Sequence, residues 1–291
     1  MRRRIIIGYD GLEHSEDALA LGGLLAEVLD AEPVVVAVLY LPEWLMGPED
    51  VETWLREAAE PIFEVARKRL APLEVETRAI AGSSPAHALH DLAEEEAPLT
   101  IVVGSTRRGA LGRVFIGGTG ESLLSGAPCA IAVAPLGYAE RDERRLVRIG
   151  VAADGSEESW SALDAAVSLV AELHGSLILL AVAEPLRSAY AGSTLLTPGD
   201  FEAASEQHFT RVLEEAAARA GSELSVEQRL LSGEPAEALA EAAKDLDLLV
   251  LGSRGYGPRR RALMGGVSGK LMRVAPCPLL VLPRGAGGFG G

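Results

Sequence analysis

Residues 252–270 read GSRGYGPRRRALMGGVSGK, a glycine-rich and basic stretch that indicates the fold of the chain. The largely aliphatic run before it, residues 246–251, is too short for a helix and predicts a buried strand. Residues 267–274 predict a short helix that ends before Pro276. A strand, a glycine-rich loop and a helix start together present backbone N–H groups that can bind phosphate. The pattern favours an anion site, although an ordinary loop between strand and helix has a similar composition.

The chain contains this pattern twice. Each copy runs from a glycine after an aliphatic strand, through Ala-Pro-Cys, to a proline after a second aliphatic strand. Order and spacing kept over several blocks indicate a tandem duplication. Three pairs of segments match: 104–135 with 252–283, 5–19 with 149–163, and 84–89 with 234–239.

The duplication predicts two domains, at residues 1–138 and 147–284. A charged linker at 139–146 joins them, and a glycine-rich tail at 285–291 is expected to be disordered. A length of 291 residues agrees with two domains of roughly 100–200 residues each.

Within each copy, aliphatic strands alternate with helical segments, so we predict an α/β fold. Each domain is expected to be doubly wound, a five-stranded parallel sheet of order 3-2-1-4-5 flanked by helices. Pro85 and Pro235 are suited to the first position of each third helix, with Ser84 as a cap. Ligands of such sheets bind at the carboxyl ends of the strands, where the strand order reverses. Asp10 or Asp154 after strand one then lies beside the glycine loop after strand four, which suits a ribose next to phosphates.

The amino-acid composition indicates the cellular compartment of the protein and the classes of partner that it disfavours. The chain is 48% apolar and carries 27 basic against 42 acidic residues, a formal net charge of −15. Such a charge disfavours nucleic acid and anionic membrane surfaces as partners. Only two cysteines occur, so no disulfide framework is expected. The start MRRRIIIGYDG has too short an apolar run for a signal peptide or a spanning helix. We therefore expect a soluble cytoplasmic protein.

The duplicated unit, with Asp after strand one and a G-x2-G-x9-G loop after strand four, resembles a tandem universal stress protein. The resemblance covers nearly the whole chain. It implies an adenine-nucleotide alpha hydrolase-like fold and a role in the stress response. It also implies ATP, with or without magnesium, as the cofactor. Some members of the family lack the motif and do not bind nucleotide, so the site must be compared residue by residue.

In the second copy the resemblance assigns Gly252, Gly255 and Gly265 to the three glycine positions. Gly266 departs from the pattern, because nucleotide-binding members carry Ser or Thr there; Ser268 offers a hydroxyl two residues later. Losing one hydrogen bond to phosphate weakens binding by about 1–3 kcal/mol without abolishing it. The neighbouring arginines and Lys270 could compensate, or form a solvated loop face. The candidate nucleotide-binding residues of this copy are Ala153, Asp154, Val182, Leu251, Gly252, Arg254, Gly255, Gly265, Gly266, Val267 and Ser268.

The first copy departs further from the pattern. Arg107 stands at the second glycine position, where a positive φ would be strained. We expect a degenerate site. Whether it still holds nucleotide is left open, and its basic loop also suits a phosphate or other anion. Its candidate residues are Asp10, Val38, Gly104, Gly117 and Gly118.

No nucleophile, general base or metal-ligand set stands out, so we predict no catalytic or metal residues. His87 and His90 lie one helical turn apart and are interpreted as a surface pair rather than a zinc site. Cys129 and Cys277 occupy matching places before strand five, where packing is the simpler explanation.

Three hypotheses for the function are compatible with the sequence. The first is a nucleotide-binding regulator that signals to an unidentified protein partner. The second is an interaction protein that acts through its dimer surface without nucleotide. The third is an enzyme, either a slow ATPase or an adenylate-handling hydrolase. We also expect the two copies to form a pseudo-dimer by pairing residues 130–134 with 279–282. A homodimer of whole chains is left open.

Overall fold

The computed structural model describes residues 3–40, 48–105, 120, 123, 127–185, 197–253 and 266–284, without the side chains of 48–50 and 198. The chain divides into two compact units, whose principal boundary lies between Arg145 and Leu146. The predicted tail at 285–291, and the fourth helix of the first copy apart from Gly120 and Leu123, lie outside the described residues.

The first unit alternates strands and helices. In chain order they are β1 (Arg4–Gly8), α1 (Glu13–Val28), β2 (Glu32–Leu39), α2 (Pro48–Leu70), β3 (Glu76–Ala81), α3 (Pro85–Glu96), β4 (Thr100–Gly104) and β5 (Ala130–Ala134). The strands lie in the order β3-β2-β1-β4-β5. Every described pairing in this sheet is parallel, with Ile6 opposite both Val34 and Ile101. The aliphatic strands β1, β4 and β5 are nearly fully buried because helices cover both faces.

The second unit repeats this arrangement. Its elements are β6 (Arg148–Ala152), α4 (Glu157–Leu173), β7 (Ser176–Ala183), α5 (Pro198–Ala220), β8 (Val226–Ser232), α6 (Pro235–Ala242), a 3₁₀ turn (Ala243–Asp245), β9 (Leu248–Ser253), α7 (Val267–Val274) and β10 (Leu279–Pro283). Its strand order is β8-β7-β6-β9-β10. The predicted α/β fold, with parallel sheets flanked by helices, is confirmed.

Local chemistry sets several boundaries. Pro85 and Pro235 begin α3 and α6 as predicted, and the Ser84 hydroxyl accepts the His87 N–H at 3.4 Å. The helices after the first strands begin at Glu13 and Glu157, two residues before Ser15 and Ser159. Among the described helices, none is both long and apolar enough to cross a membrane.

Both cysteines pack in the interior. Cys129 and Cys277 precede β5 and β10 and are 5% and 2% exposed. Burial raises the pKa of Cys129 to about 12. A thiol in this environment stays protonated and unreactive at neutral pH, which supports a packing role.

A buried carboxylate fastens the segment after β5 to α1. Asp17 is 2% exposed and accepts N–H bonds from Gly137 at 2.9 Å and Ala139 at 2.8 Å. Burial raises the pKa of Asp17, while these backbone N–H groups act in the opposite direction. The ring of Tyr138 is buried in the same place, with the Arg141 guanidinium 5.1 Å from its centre. The start of the predicted linker is thus packed against the first unit.

We predict that Asp17→Ala lowers the free energy of unfolding by about 2 kcal/mol, because it leaves buried N–H groups without their acceptor. Ser161 holds the matching position in the second copy and is exposed, so Ser161→Ala should change stability by less than about 0.5 kcal/mol. Urea unfolding of both variants tests this, and equal effects would contradict the role given to Asp17.

We also predict slow thiol modification in the native protein. In a Cys277→Ala variant, Cys129 is the remaining thiol, and at pH 8 its thiolate fraction should be roughly a thousandfold below that of an ordinary cysteine. Iodoacetamide labelling followed by mass spectrometry should give rapid modification in urea and almost none in the native state. Rapid native labelling would show that Cys129 is accessible.

Candidate functional site

In the second copy, a tight turn after β6 positions Asp154. The Oδ1 atom of Asp154 accepts hydrogen bonds from Ser156 N at 2.9 Å and Ser156 Oγ at 2.5 Å. Gly155 has φ +80°, a conformation that favours glycine, and allows the chain to reverse into α4. Ser156 caps that helix, accepting the Ser159 N–H. The carboxylate is therefore fixed at the carboxyl end of a central strand.

The glycine at the end of β9 is required by packing. A Cβ atom on Gly252 would lie 2.3 Å from the carbonyl oxygen of Glu158, in the first turn of α4. The φ of Gly252 is outside the left-handed region, so its contribution is space rather than backbone freedom. This close approach places the turn of Asp154 next to the start of the predicted loop.

These elements surround one cavity of about 160 Å³. It is lined by Ala152, Ala153, Asp154, Ser156, Glu158, Ser159, Leu180, Val182, Glu184, Phe209, Pro235, Leu239, Leu251, Gly252, Val267 and Ser268. Seven predicted residues are thus brought together: Ala153, Asp154, Val182, Leu251, Gly252, Val267 and Ser268. Arg254, Gly255 and Gly265 lie outside the described residues.

The amino end of α7 reaches this cavity through Val267 and Ser268. Gly266 is the N-cap, with φ −63° and ψ 155°, and makes no side-chain cap bond. The first N–H groups of an α-helix have no acceptor within the helix, so they are suited to an anion. Lys270 is engaged elsewhere: its Nζ donates to Glu234 Oε1 at 2.6 Å, and this contact lowers the pKa of Glu234.

Sequence reasoning missed most of the acidic lining. Besides Asp154, the residues Glu158 and Glu184 belong to the cavity lining. Glu158 is only 7% exposed, although it belongs to the first turn of α4. Glu184 directly follows β7 at the same edge of the sheet, which is the signal that could have identified it. Phe209 comes from α5, and nothing in its local pattern pointed to the cavity.

The first copy builds the same turn with a different neighbour. The Oδ1 atom of Asp10 accepts the Leu12 N–H at 3.0 Å, and Oδ2 lies 3.3 Å from His14 Nε2. Gly11 has φ +77°. A Cβ on Gly104 would lie 1.7 Å from the His14 carbonyl oxygen. The packing requirement at the first glycine is therefore common to both copies.

The cavity of the first copy measures about 100 Å³ and is lined by Asp10, Val38 and Gly104 among the predicted residues. Tyr9 stands where the second copy has Ala153, and its hydroxyl donates to Glu16 Oε1 at 2.5 Å. Burial is the main cause that raises the pKa of Tyr9, and this hydrogen bond raises it further. Gly117 and Gly118 lie outside the described residues.

Comparison with known proteins agrees with this architecture. The sequence profile of the Universal stress protein family matches residues 1–135 and 147–283. A universal stress protein of Mycolicibacterium smegmatis is 30% identical over 302 residues, covering 96% of this chain and 97% of that protein. Universal stress protein YxiE of Bacillus subtilis is 34% identical over 144 residues, 45% of this chain and 95% of its own.

Among solved structures, a universal stress protein from Archaeoglobus fulgidus aligns with a TM-score of 0.72 at 21% identity, covering 97% of this chain and 98% of that one. This likeness concerns the fold. The two profile matches and the Mycolicibacterium smegmatis relative show that the chain belongs to the universal stress protein family, as a tandem of two family domains.

Proposed function

We propose that the second repeat binds an adenine nucleotide, ATP or a close relative, and that occupancy of this site is a regulatory signal in the stress response. The observation that carries the proposal is the convergence of Asp154, Gly252 and the start of α7 on one cavity. A carboxylate there suits the hydroxyl groups of a ribose, and helix N–H groups suit phosphate. The apolar side chains of Val182 and Leu251 supply a surface for the base.

The charges favour a nucleotide that carries a cation. Asp154, Glu158 and Glu184 line the cavity, while the charge of Lys270 is already offset by Glu234. Acidic residues near a phosphate oppose its binding, and a cation that accompanies the nucleotide offsets this effect. We therefore propose ATP with magnesium as the bound species, with the arginines of residues 254–261 as a further source of positive charge.

A second function, an interaction protein that binds no nucleotide, also has a specific observation in its favour. Gly252 and Gly104 are both required by the close packing of a helix turn, so these glycines do not by themselves indicate a ligand. Gly266 adds no hydroxyl to the cavity. Under this alternative both repeats are scaffolds for a protein partner, and neither cavity binds a nucleotide.

Paired substitutions at the two turns separate these functions. We predict that the wild-type chain binds ATP saturably with magnesium, and that Asp154→Asn weakens binding about tenfold or more. Asparagine retains the Oδ1 acceptor of the turn and removes the charge, so the fold should be preserved. Asp10→Asn, the matched change in the first repeat, should leave the affinity within about twofold.

Isothermal titration of the three proteins with ATP and magnesium makes this comparison. Absence of saturable binding to the wild type would favour the interaction protein. Equal affinities of the wild type and Asp154→Asn would contradict the assigned site. Sustained ATP turnover that Asp154→Asn abolishes would instead favour the slow ATPase.

Restoring the hydroxyl at the helix cap provides an independent test. The φ and ψ of Gly266 are those of an ordinary N-cap, so serine fits without strain. We predict that Gly266→Ser tightens ATP binding by about tenfold, because it adds a hydrogen bond to a charged phosphate. Gly118→Ser in the first repeat is the matched control and should have little effect. An unchanged affinity in Gly266→Ser would show that this cap does not contact the ligand.

A further inference from the structure

Three side chains of types that can bind metal ions lie close together on α3. The side chains of His90, Asp91 and Glu94 each have a potential ligand atom, and these atoms lie within 4.8 Å of one another. His90 and Glu94 are four residues apart and so share one face of the helix. Asp91 lies beside them, with its Oδ1 3.6 Å from His90 Nδ1. The expectation from sequence considered only His87 with His90, whereas here carboxylates complete the set.

The local charge favours a cation. The last turn of α3 carries Glu94, Glu95 and Glu96 and has no basic residue. Acidic side chains at a helix carboxyl end add to the negative end of the helix dipole. Arg4 and Arg78 form ion pairs with Glu96. Among the described ion pairs, none joins a lysine or arginine to Asp91 or Glu94.

The second repeat shows how the matching position is neutralised there. Continuing the alignment of 84–89 with 234–239 without a gap places Asp91 opposite Glu241 and Glu94 opposite Lys244. Lys244 Nζ lies 2.7 Å from the Glu241 carboxylate, so this repeat supplies its own cation. In the first repeat the lysine is replaced by a carboxylate, and Ala240 is replaced by the imidazole of His90. Where the second repeat has an ion pair, the first repeat has three potential metal ligands.

We propose that His90, Asp91 and Glu94 bind a divalent transition-metal ion of the zinc class, at a site separate from the nucleotide cavity. One imidazole nitrogen and two carboxylate oxygens form a mixed set that favours zinc, copper or nickel over magnesium or calcium. Ligand atoms around tetrahedral zinc are about 3.4 Å apart. The side chains of Asp91 and Glu94 are exposed and can rotate, and the proposed site requires that they bring the three atoms to that spacing. Water completes the coordination at this open surface.

The test uses the untagged full-length protein and zinc chloride. We expect saturable binding of one ion by isothermal titration and a rise in the thermal unfolding midpoint, since binding to the native state stabilises it. Magnesium at the same concentration should give neither effect. His90→Ala and Glu94→Lys each import the residue of the second repeat and should weaken zinc binding by about tenfold or more.

Glu94→Lys also distinguishes the loss of a metal ligand from a loss of folding. Its lysine lies three residues after Asp91 on the same α-helix and can pair with it, so without metal the variant should be at least as stable as the wild type. His208→Ala, at an exposed histidine on α5, is the control and should retain full zinc affinity. Equal zinc affinity in wild type, His90→Ala and Glu94→Lys would overturn the site. An equal loss in His208→Ala would identify nonspecific surface binding and overturn it as well. Because Asp154→Asn leaves these ligands intact, failure of the nucleotide site and failure of the metal site are distinguished.

Discussion

Parallel pairing between the first and fourth strands of each repeat is the interaction on which the rest of the structure depends. Ile5 is opposite Thr100 in the first repeat, and Ile149 is opposite Leu248 in the second. These pairs bring two carboxyl ends, far apart in the sequence, to adjacent positions at the point where the strand order reverses. The acidic turn and the start of the glycine loop are neighbours for this reason. The strand order therefore determines where each cavity lies, and the side chains determine only how it is lined.

On this shared framework the two repeats have diverged in chemistry. The first turn of the helix after strand one presents His14 to Asp10 in one repeat, and the buried Glu158 beside Asp154 in the other. Tyr9 occupies the place of Ala153, and the first cavity is the smaller of the two. Duplication allows such divergence, because one copy can retain a ligand site while the other changes its lining.

Much of the fold could be predicted from the sequence, because the duplication tests each pattern twice and buried parallel strands are distinctive aliphatic runs. The position of Asp154 followed from its place directly after a strand. Contacts between distant segments could not be predicted in this way. The burial of Glu158 and the pairing of Lys270 with Glu234 depend on how helices settle on the sheet, which periodicity does not encode. Gly252 also has a packing role that the sequence did not reveal, because a side chain there would collide with the Glu158 carbonyl of a neighbouring helix.

That packing role affects how glycine motifs are used to sort related proteins. A side chain at Gly104 or Gly252 would collide with backbone whether or not a ligand is ever bound. Selection for a stable fold would therefore retain the first glycine in chains that have lost every ligand. The presence of this glycine therefore cannot distinguish paralogues that bind nucleotide from those that do not. A useful criterion must come from the later positions of the loop and from the acidic residues that line the cavity.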